Sequence, residues 1–382
     1  RGRGRGGRVG TWRGRCGGRL EVSGCARTVA RHGRPREISR WGGPTARTSP
    51  TGTSRTVRLG GHPAAGGLPC RGRSPLVDDM TDLRLTEQRN PRSADLDTLG
   101  TRALVGLIND EDAGVASAVA EVLDDVARAV ELAEAALRSG GRLVYVGAGT
   151  SGRLGVLDAA EMPPTFGTDP DRVIGVIAGG HRAIVRACEG AEDHPEEGVR
   201  AMEDLRVGSE DFVLGIATSG TTPYVHGALG RARARGARTG LLLCTPPDTE
   251  HVSRYDVVIA PLVGPEVVTG STRMKAGTAT KMVLNALSTA VMVRLGKVHG
   301  NLMVDLRVTC RKLRERARRI VTQVSGCSAE EAGRLLEAAG GEVKTALVMA
   351  STGLSPDEAR DRLEAAGGVV GRVIDSEGSE EG

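Results

Sequence analysis

Five short apolar runs place the tightest limit on what this chain can fold into. Each holds four or five residues, mainly Val, Ile and Leu, without polar alternation: Leu143–Val146, Val173–Ile177, Phe212–Ile216, Gly240–Leu243 and Val257–Ala260. Such runs are typical of strands buried on both faces of a parallel sheet. The first four are separated by stretches long enough for a helix, so the sequence predicts an α/β fold with a doubly wound, five-stranded parallel sheet.

Helical patterns flank the predicted strands on both sides. Apolar residues recur at three- and four-residue spacing through residues 95–140, which predicts a helical lead-in. After about residue 300 no strand pattern remains, and residues 307–382 indicate a small C-terminal region of short helices. Ser328 and Ser355, each followed by acidic residues, are the expected N-caps of two of these helices.

The charge is split between two unlike regions. Residues 1–79 hold 17 Arg and 4 acidic residues, whereas residues 80–382 carry a net charge of −8. The first region lacks the apolar surface that would offset the entropy cost of ordering, so we expect it to be disordered. Its composition favours a stretch outside the working protein, such as a GC-rich gene read from too far upstream. A transit peptide and a basic arm that binds nucleic acid are the alternatives.

The rest of the chain divides into three predicted regions: a helical lead-in over residues 80–132, the sheet domain over 133–306 and the helical region over 307–382.

No apolar run reaches the roughly 20 residues that a membrane span needs. The 7 Cys form no CxxC pair, which argues against a disulfide scaffold and a zinc ribbon. We expect a cytoplasmic protein without a membrane contact, and nucleic acid is not an expected partner because the body of the chain is acidic.

The first predicted strand runs into a glycine-rich turn, Gly147–Gly155, with the sequence GAGTSGRLG. Glycine lets the backbone approach an anion, and the start of the next helix offers free N–H groups and a positive dipole end. Thr150 and Ser151 add hydroxyl donors. The first, third and sixth residues of the turn also satisfy the GxGxxG dinucleotide fingerprint, but that motif needs an acidic residue at the end of the second strand. Residues 177–180 contain none, so dinucleotide binding is the weaker interpretation.

The third predicted strand runs into a second hydroxyl-rich turn, Ala217–Tyr224, in which Ser219, Thr221 and Thr222 lie around Gly220. Loops that follow parallel strands meet at the carboxyl edge of the sheet, so these two turns can surround one phosphate with neutral donors. Neither turn is followed by the Lys of a P-loop, so a monophosphate ester of a small polyol fits better than a nucleoside triphosphate. The alternative is that both are only tight turns.

Longer strings narrow the interpretation to one family. The two turns and five further strings resemble the N-acetylmuramic acid 6-phosphate etherases, which contain a sugar isomerase (SIS) domain and are related to glucokinase regulatory protein. The strings are TEQRNPRSADLDTLG (Thr86–Gly100), LDAAEMPPTFG (Leu157–Gly167), EGAEDH (Glu189–His194), VVTGSTRMKAGTATKMVLN (Val267–Asn285) and GKVHGNLMVD (Gly296–Asp305). The resemblance implies a flavodoxin-like SIS fold, a homodimer, a sugar-phosphate substrate and no metal or other cofactor.

The resemblance also implies a reaction. The family cleaves the D-lactyl ether of N-acetylmuramic acid 6-phosphate to N-acetylglucosamine 6-phosphate and D-lactate, by elimination across C2–C3 of the ring-opened sugar and then addition of water. One base for the C2 proton and one acid for the departing lactate suffice. By the resemblance Glu161 is the acid and Glu192 the base, with the division of roles open. Pro163 and Pro164 predict a helix end just after Glu161.

The matching phosphate-binding hydroxyls are those of Ser151, Ser219 and Thr222, with Thr150 and Thr221 as secondary candidates. Lys275, the first Lys of the chain, is a candidate for a positive charge near the substrate, acting across a subunit interface. A Lys on a helix surface is the alternative. The histidines have no metal-ligand spacing, so we expect no metal site.

Two other functions share parts of this pattern. A non-catalytic regulator that binds a sugar phosphate through the same SIS loops is the main alternative, and an aldose–ketose isomerase is the next. The presence of both Glu161 and Glu192 favours the etherase.

Overall fold

Residues 84–306 and 311–377 are described by a computed structural model of the chain, and they belong to the unit Arg73–Gly382. The stretch predicted to be disordered, residues 1–79, lies outside the described residues. The three predicted region boundaries within the rest of the chain stay predictions.

Five parallel strands form the central sheet, as the apolar runs predict. They lie in the spatial order β2-β1-β3-β4-β5, which is the flavodoxin-like doubly wound arrangement. The predicted fold class is therefore confirmed. The strands are β1 (Leu143–Gly147), β2 (Val173–Ile177), β3 (Phe212–Ile216), β4 (Arg238–Leu242) and β5 (Val257–Ile259).

Helices precede, separate and follow these strands. The lead-in forms three helices: α1 (Thr101–Asp112), α2 (Val115–Ala120) and α3 (Leu123–Arg138). The helices that follow the strands are α4 (Gly149–Phe166), α5 (His181–Val185), α6 (Pro195–Asp204), α7 (Pro223–Ala234), α8 (Thr249–Arg254) and α9 (Lys275–Arg294). The C-terminal helices are α10 (Arg311–Ser325), α11 (Ala329–Ala338), α12 (Val343–Thr352), α13 (Pro356–Ala365) and α14 (Val370–Glu377).

A short antiparallel pair, β6 (Val298–His299) and β7 (Leu302–Met303), separates α9 from the C-terminal helices, and no sequence pattern predicted it. The predicted N-caps are confirmed: the side chains of Ser328 and Ser355 accept hydrogen bonds from the backbone of Glu331 and Glu358.

Two apolar cores lie on the two faces of the sheet. Leu143 and Tyr145 of β1 pack in the core that includes α3, α4 and α9, whereas Val144 and Val146 pack in the core that includes α6 and α7. Side chains alternate between the faces of a strand, so a strand between two cores must be apolar throughout. This is the physical reason for the uninterrupted apolar runs. A third core holds α10 to α14 together.

Helix α9 runs from the carboxyl edge of the sheet to its opposite edge. The start of α9 lies beside the turn after β1, because a Cβ added to Gly277 would lie 3.6 Å from Cγ2 of Thr150 in that turn. Its 20 residues span about 30 Å, whereas a five-residue strand spans about 17 Å. Just past its end, a Cβ on Gly296 would lie 3.0 Å from the carbonyl oxygen of Gly368. The end of the C-terminal region therefore lies away from the turns that follow β1 and β3.

The predicted end of α4 at its two prolines is wrong. The helix continues through Pro163 and Pro164 to Phe166, and Gly167, with φ of 63°, ends it. The N–H of Gly167 donates to the carbonyl of Pro163 at 3.0 Å. The two prolines remove hydrogen-bond donors but keep helical φ angles, and in the last turn the helix tolerates this loss. Glu161 thus lies in one continuous helix that begins at the turn after β1.

Candidate active site

The two hydroxyl-rich turns begin side by side at the carboxyl edge of the sheet. β1 and β3 are neighbours, and Gly147 at the end of β1 is paired with Ile216 at the end of β3. The strand order reverses between these two strands, and ligands of doubly wound sheets bind at such a reversal. The sheet therefore brings the two turns together, as the sequence predicted.

The first turn is wound tightly onto the start of α4. A Cβ on Gly147 would lie 2.7 Å from the backbone nitrogen of Gly152, so only glycine fits there. Gly149 has φ of 52°, which glycine adopts without strain. Thr150 is half-buried and Ser151 is buried, both in the first turn of the helix. The first N–H groups of this helix and its dipole face the same edge, which suits an anion.

The second turn carries a pair of bonded hydroxyls. Oγ of Ser219 and Oγ1 of Thr221 lie 3.2 Å apart, and Thr222 is the residue before α7. Gly220 between them has φ of 78°, and a Cβ there would lie 3.2 Å from Leu243. The chain reverses at this glycine, and the reversal brings the hydroxyls to one side.

A half-buried histidine supports the second turn. Nε2 of His226 donates to the carbonyl of Gly220 at 2.7 Å, and Nδ1 lies 2.8 Å from the hydroxyl of Tyr255. Burial lowers the pKa of His226 below its ordinary value, although the bond to the Gly220 carbonyl opposes that change. The neutral ring fits both partners, because it donates through one nitrogen and accepts through the other. The histidine is thus part of the scaffold of the turn.

The segment before α1 crosses this edge of the sheet. Nη1 of Arg84 donates to Oγ1 of Thr221 at 3.1 Å, and the N–H of Leu85 donates to Oγ1 of Thr245 at 3.2 Å. Sequence reasoning missed Arg84, because a contact across 137 residues leaves no local pattern. The structure thus adds a cation to the rim of the second turn.

Lys275 is buried, so it is not a Lys on a helix surface. Its Nζ lies 2.6 Å from Oε2 of Glu111 in α1, and both side chains are almost fully enclosed. The N–H groups of Lys275 and Ala276 donate to the carboxylate of Glu266, which caps α9. The charge of Lys275 is therefore neutralised within the chain. Arg153 of α4, another cation near the first turn, donates from Nε to the carbonyl of Ile184 at 3.1 Å.

Glu111 is the centre of a polar cluster that the sequence did not reveal. Nδ2 of Asn90 donates to it at 2.7 Å, and Nη1 of Arg92 donates at 2.6 Å. Burial by itself raises the pKa of Glu111, but the hydrogen bonds from Lys275 and Asn90 and the nearby cations outweigh it and leave the pKa below its ordinary value. The cluster ties the segment before α1, α1 itself and α9 together beside the first turn.

A second buried cluster joins β1, α4 and α9. The hydroxyl of Tyr145 donates to Oδ2 of Asp158, and Nζ of Lys281 lies 3.0 Å from Oδ1 of the same carboxylate. Burial, together with the charge of Asp158, raises the pKa of Tyr145 well above its ordinary value, so the phenol stays a donor. Asp158 lies one turn before Glu161 on α4 and fixes that part of the helix to the sheet.

The structure places the two candidate carboxylates differently. Glu192 lies in the short turn Ala191–Asp193, just before α6. The first residue of α6, Pro195, packs closely against α7, because a Cβ added to Gly227 of α7 would lie 2.1 Å from the carbonyl oxygen of Pro195. The turn with Glu192 thus adjoins the start of α7. Glu161 lies on the outer face of α4, about 15 Å along the helix from Ser151. Both side chains are exposed, and neither makes a hydrogen bond within residues 84–306 and 311–377.

A large cavity lies elsewhere, among the C-terminal helices. It measures about 980 Å³ and is lined by residues that include Arg314, Lys344 and Arg360. Its lining includes neither of the hydroxyl-rich turns and neither candidate Glu. Among the residues that the structure describes, no group of three or more His, Cys, Asp or Glu side chains is arranged to hold a metal ion. No helix in those ranges has the length and apolar character that crossing a bilayer requires.

Comparison with known proteins agrees with this geometry. Residues 125–233, which include β1, β3 and both turns, match the family model of the glucokinase regulatory protein N-terminal SIS domain. The fold and the turns thus define a protein with a SIS-type domain. The phosphoheptose isomerase of Neisseria gonorrhoeae is a distant structural neighbour, with a TM-score of 0.39 and 17% identity, covering 50% of this chain and 99% of that one. That likeness is too weak to carry an argument about function.

Sequence relatives are much more similar. The chain is 56% identical over 265 residues to the N-acetylmuramic acid 6-phosphate etherase of Mycolicibacterium smegmatis, covering 69% of this chain and 88% of that protein. It is 54% identical over 265 residues to the protein of the same name from Crocosphaera subtropica, covering 69% and 87%. The chain therefore belongs to the N-acetylmuramic acid 6-phosphate etherase family, and the resemblance found in the sequence is confirmed.

Proposed function

We propose that the chain cleaves the D-lactyl ether of N-acetylmuramic acid 6-phosphate, giving N-acetylglucosamine 6-phosphate and D-lactate, in amino-sugar recycling. The observation that carries this proposal is the 56% identity to a relative named for that activity, across 88% of the relative's length. A non-catalytic regulator is not favoured, because the similar relatives are named as the enzyme.

The phosphate of the substrate binds at the carboxyl ends of β1 and β3. Ser151 and Thr150 act from the start of α4, and Ser219, Thr221 and Thr222 act from the second turn. Hydroxyl and N–H donors with the helix dipole can hold a phosphate dianion without a Lys. Lys275 contributes by fixing α9 through Glu111 rather than by a free charge.

The chemistry needs one base and one acid. Glu192 removes the proton on C2, which the neighbouring aldehyde makes acidic, and the electron pair forms the C2–C3 double bond as the bond from C3 to the lactyl oxygen breaks. Glu161 donates its proton to that oxygen, and D-lactate leaves. Water then adds to the double bond: its oxygen bonds to C3, one of its protons passes to Glu161, and Glu192 gives a proton to C2. This step forms N-acetylglucosamine 6-phosphate and returns both carboxyl groups to their starting states. The reaction needs no cofactor.

We also propose a cytoplasmic homodimer. Large apolar side chains lie exposed on several elements near the site, including Leu157, Val185 and Val268, and a partner subunit would cover them. Cys188, Cys244 and Cys327 are free thiols, which fits a reducing compartment.

Release of D-lactate from N-acetylmuramic acid 6-phosphate tests the proposal. We expect the purified chain to release it, and Glu161→Gln and Glu192→Gln to lose at least about a thousandfold in kcat, because each removes a proton-transfer group. Glu210→Gln, an exposed Glu before β3, is the matched control and should retain the full rate. A chain that binds the sugar phosphate but releases no lactate would be a regulator instead.

A further inference from the structure

The second hydroxyl-rich turn, Ala217–Tyr224, is in direct contact with a cation. Nη1 of Arg84 donates to Oγ1 of Thr221 at 3.1 Å, and the same oxygen lies 3.2 Å from Oγ of Ser219. The guanidinium is thus no more than two hydrogen-bond lengths from the hydroxyl of Ser219, which we assign to the phosphate. A phosphate oxygen accepts from a hydroxyl at about 2.7 Å, so a phosphate held by Ser219 comes within reach of Arg84.

The bond to Arg84 also sets the direction of the Thr221 hydroxyl. A hydroxyl has one proton to donate and two lone pairs that accept. Because Oγ1 of Thr221 accepts from Arg84, its own proton points away from the guanidinium, towards Ser219 or towards a bound phosphate. Arg84 therefore makes Thr221 a donor at the place where an anion needs one.

The segment that carries Arg84 is fixed at this edge of the sheet. The N–H of Leu85 donates to Oγ1 of Thr245, which follows β4, at 3.2 Å. The carbonyl of Thr86 accepts from the N–H of Gly270, which precedes α9, at 3.1 Å. The backbone next to Arg84 is therefore held in place before a ligand arrives, and this lowers the entropy cost of binding one.

A phosphate needs a positive charge that the two turns do not themselves supply. A phosphorylated hydroxyl carries a charge of about −1.5 to −2 at pH 7, whereas the hydroxyls of the turns are neutral. The charge of Lys275 is neutralised by Glu111. Arg153 is directed to α5, which follows β2 and so lies on the far side of β1 from the second turn. Arg84 places a positive charge at the second turn itself.

We propose that Arg84 binds the phosphate of the substrate, through its guanidinium and by holding Thr221 as a donor. A guanidinium presents its N–H groups in a planar fork that matches two phosphate oxygens, and the bonds are charge-assisted. Such a residue selects a phosphorylated sugar over a neutral one. This inference rests on the proposed function, because it adds a residue to the phosphate-binding turns of that site.

Calorimetric titration with N-acetylglucosamine 6-phosphate, the phosphorylated product, tests the proposal. Arg84→Gln should raise the Kd at least about tenfold, because it removes a charge-assisted contact. Arg84→Lys keeps the charge but loses the fork, so its Kd should lie between those of the wild type and Arg84→Gln. Arg102→Gln removes the same charge from an exposed position on α1, and this matched control should bind like the wild type. Equal Kd values for Arg84→Gln and the wild type would overturn the inference.

Two further readouts separate phosphate binding from a purely structural role of Arg84. Salt screens an ionic contact, so added NaCl should raise the Kd of the wild type more than the Kd of Arg84→Gln. With N-acetylmuramic acid 6-phosphate as substrate, Arg84→Gln should raise KM and leave kcat nearly unchanged, since the phosphate is held in both the ground state and the transition state. A fall in kcat at unchanged KM, or the same salt dependence for both proteins, would contradict phosphate binding by Arg84.

The contribution of the guanidinium itself is measured in a Thr221→Ala background. There Arg84 no longer acts through the hydroxyl, and Arg84→Gln should still raise the Kd about fivefold. No further loss in that background would show that Arg84 acts through Thr221 alone, which contradicts a direct contact with the phosphate.

D-lactate release by the same wild-type preparation keeps this test apart from the test of the proposed function. A wild type that binds N-acetylglucosamine 6-phosphate but releases no D-lactate would contradict the proposed reaction and not the role of Arg84. A wild type that releases D-lactate, with Arg84→Gln binding the product equally well, would contradict the role of Arg84 alone.

Discussion

At the carboxyl edge of the sheet, single side chains have two different roles. We propose that the hydroxyls of Ser151 and Ser219 bind the phosphate, whereas His226 and the glycines hold the turns in shape. The turns could be found from the sequence because glycine and hydroxyl residues follow a strand directly. The partners of Arg84 and Lys275 could not, because they are 137 and 164 residues away along the chain.

Ser151→Ala and Ser219→Ala should each raise KM for N-acetylmuramic acid 6-phosphate about tenfold, because each removes a hydrogen bond to a charged phosphate. The rate constant kcat should change much less, since the phosphate is held in both the ground state and the transition state. Initial rates of lactate release measure both constants. Ser209→Ala, an exposed serine before β3, is the control, and an equal rise of KM there would remove the assignment.

Gly220→Ala should lower the free energy of unfolding by about 2 kcal/mol, because alanine is strained at positive φ. The φ angle of Gly220 is 78°, and the added Cβ would press on Leu243. Urea unfolding measures the change. Gly208→Ala is the matched control, because a Cβ there meets nothing within 4 Å. Equal stability of the two variants would contradict the described turn.

Among the elements, the lead-in contributes more than its pattern suggested. Its apolar spacing predicted helices, and α2 and α3 pack in the core on one face of the sheet. The pattern could not show that α1 supplies Glu111, the counter-charge of Lys275. Nor could it show that Asp158 joins α4 to β1 and α9, because a buried ion pair depends on elements that meet only in the fold.

Glu111→Gln should destabilise the protein by about 3 kcal/mol, since it leaves the buried ammonium of Lys275 without a counter-charge. Glu250→Gln breaks a pair with Arg254 whose Glu side chain is 75% exposed, and should change stability by less than about 0.5 kcal/mol. Chemical denaturation of both variants at neutral pH gives the comparison. A similar small effect for both would show that the Glu111 pair is not buried.

The same carboxylate should make stability depend on pH. The folded protein holds the pKa of Glu111 below its ordinary value, so this contribution is complete above the unfolded pKa and is lost as the pH falls below about 5. The urea midpoint of the wild type should therefore fall more steeply between about pH 6 and about pH 4 than the urea midpoint of Glu111→Gln does. Parallel curves would contradict the cause given for the shift.

At the scale of the whole molecule, the sheet positions the elements of the proposed site. The turns after β1 and β3 lie at one edge, and α9 leads away from that edge towards Gly368, near the end of the C-terminal region. Fold class and strand positions followed from the sequence, because burial on both faces demands continuous apolar runs. The position of Glu161 did not, since Pro163 and Pro164 suggested a helix end that the fold does not have.

A chain of residues 80–382 should fold and release D-lactate at the rate of the full chain. The relatives match 69% of this chain, and the Arg-rich composition of residues 1–79 favours a stretch outside the working protein. Circular dichroism and the lactate assay on both versions check this. A loss of folding in the shorter version would show that the first region is needed.

Conversion of N-acetylmuramic acid 6-phosphate in deuterated water tests the central claim most directly. Elimination and water addition replace the C2 proton by one from solvent, so we predict D-lactate together with N-acetylglucosamine 6-phosphate that carries one deuterium at C2. Glu192→Gln should give neither product. Lactate released without deuterium at C2 would contradict the elimination, and no lactate at all would contradict the assignment of the chain as an etherase.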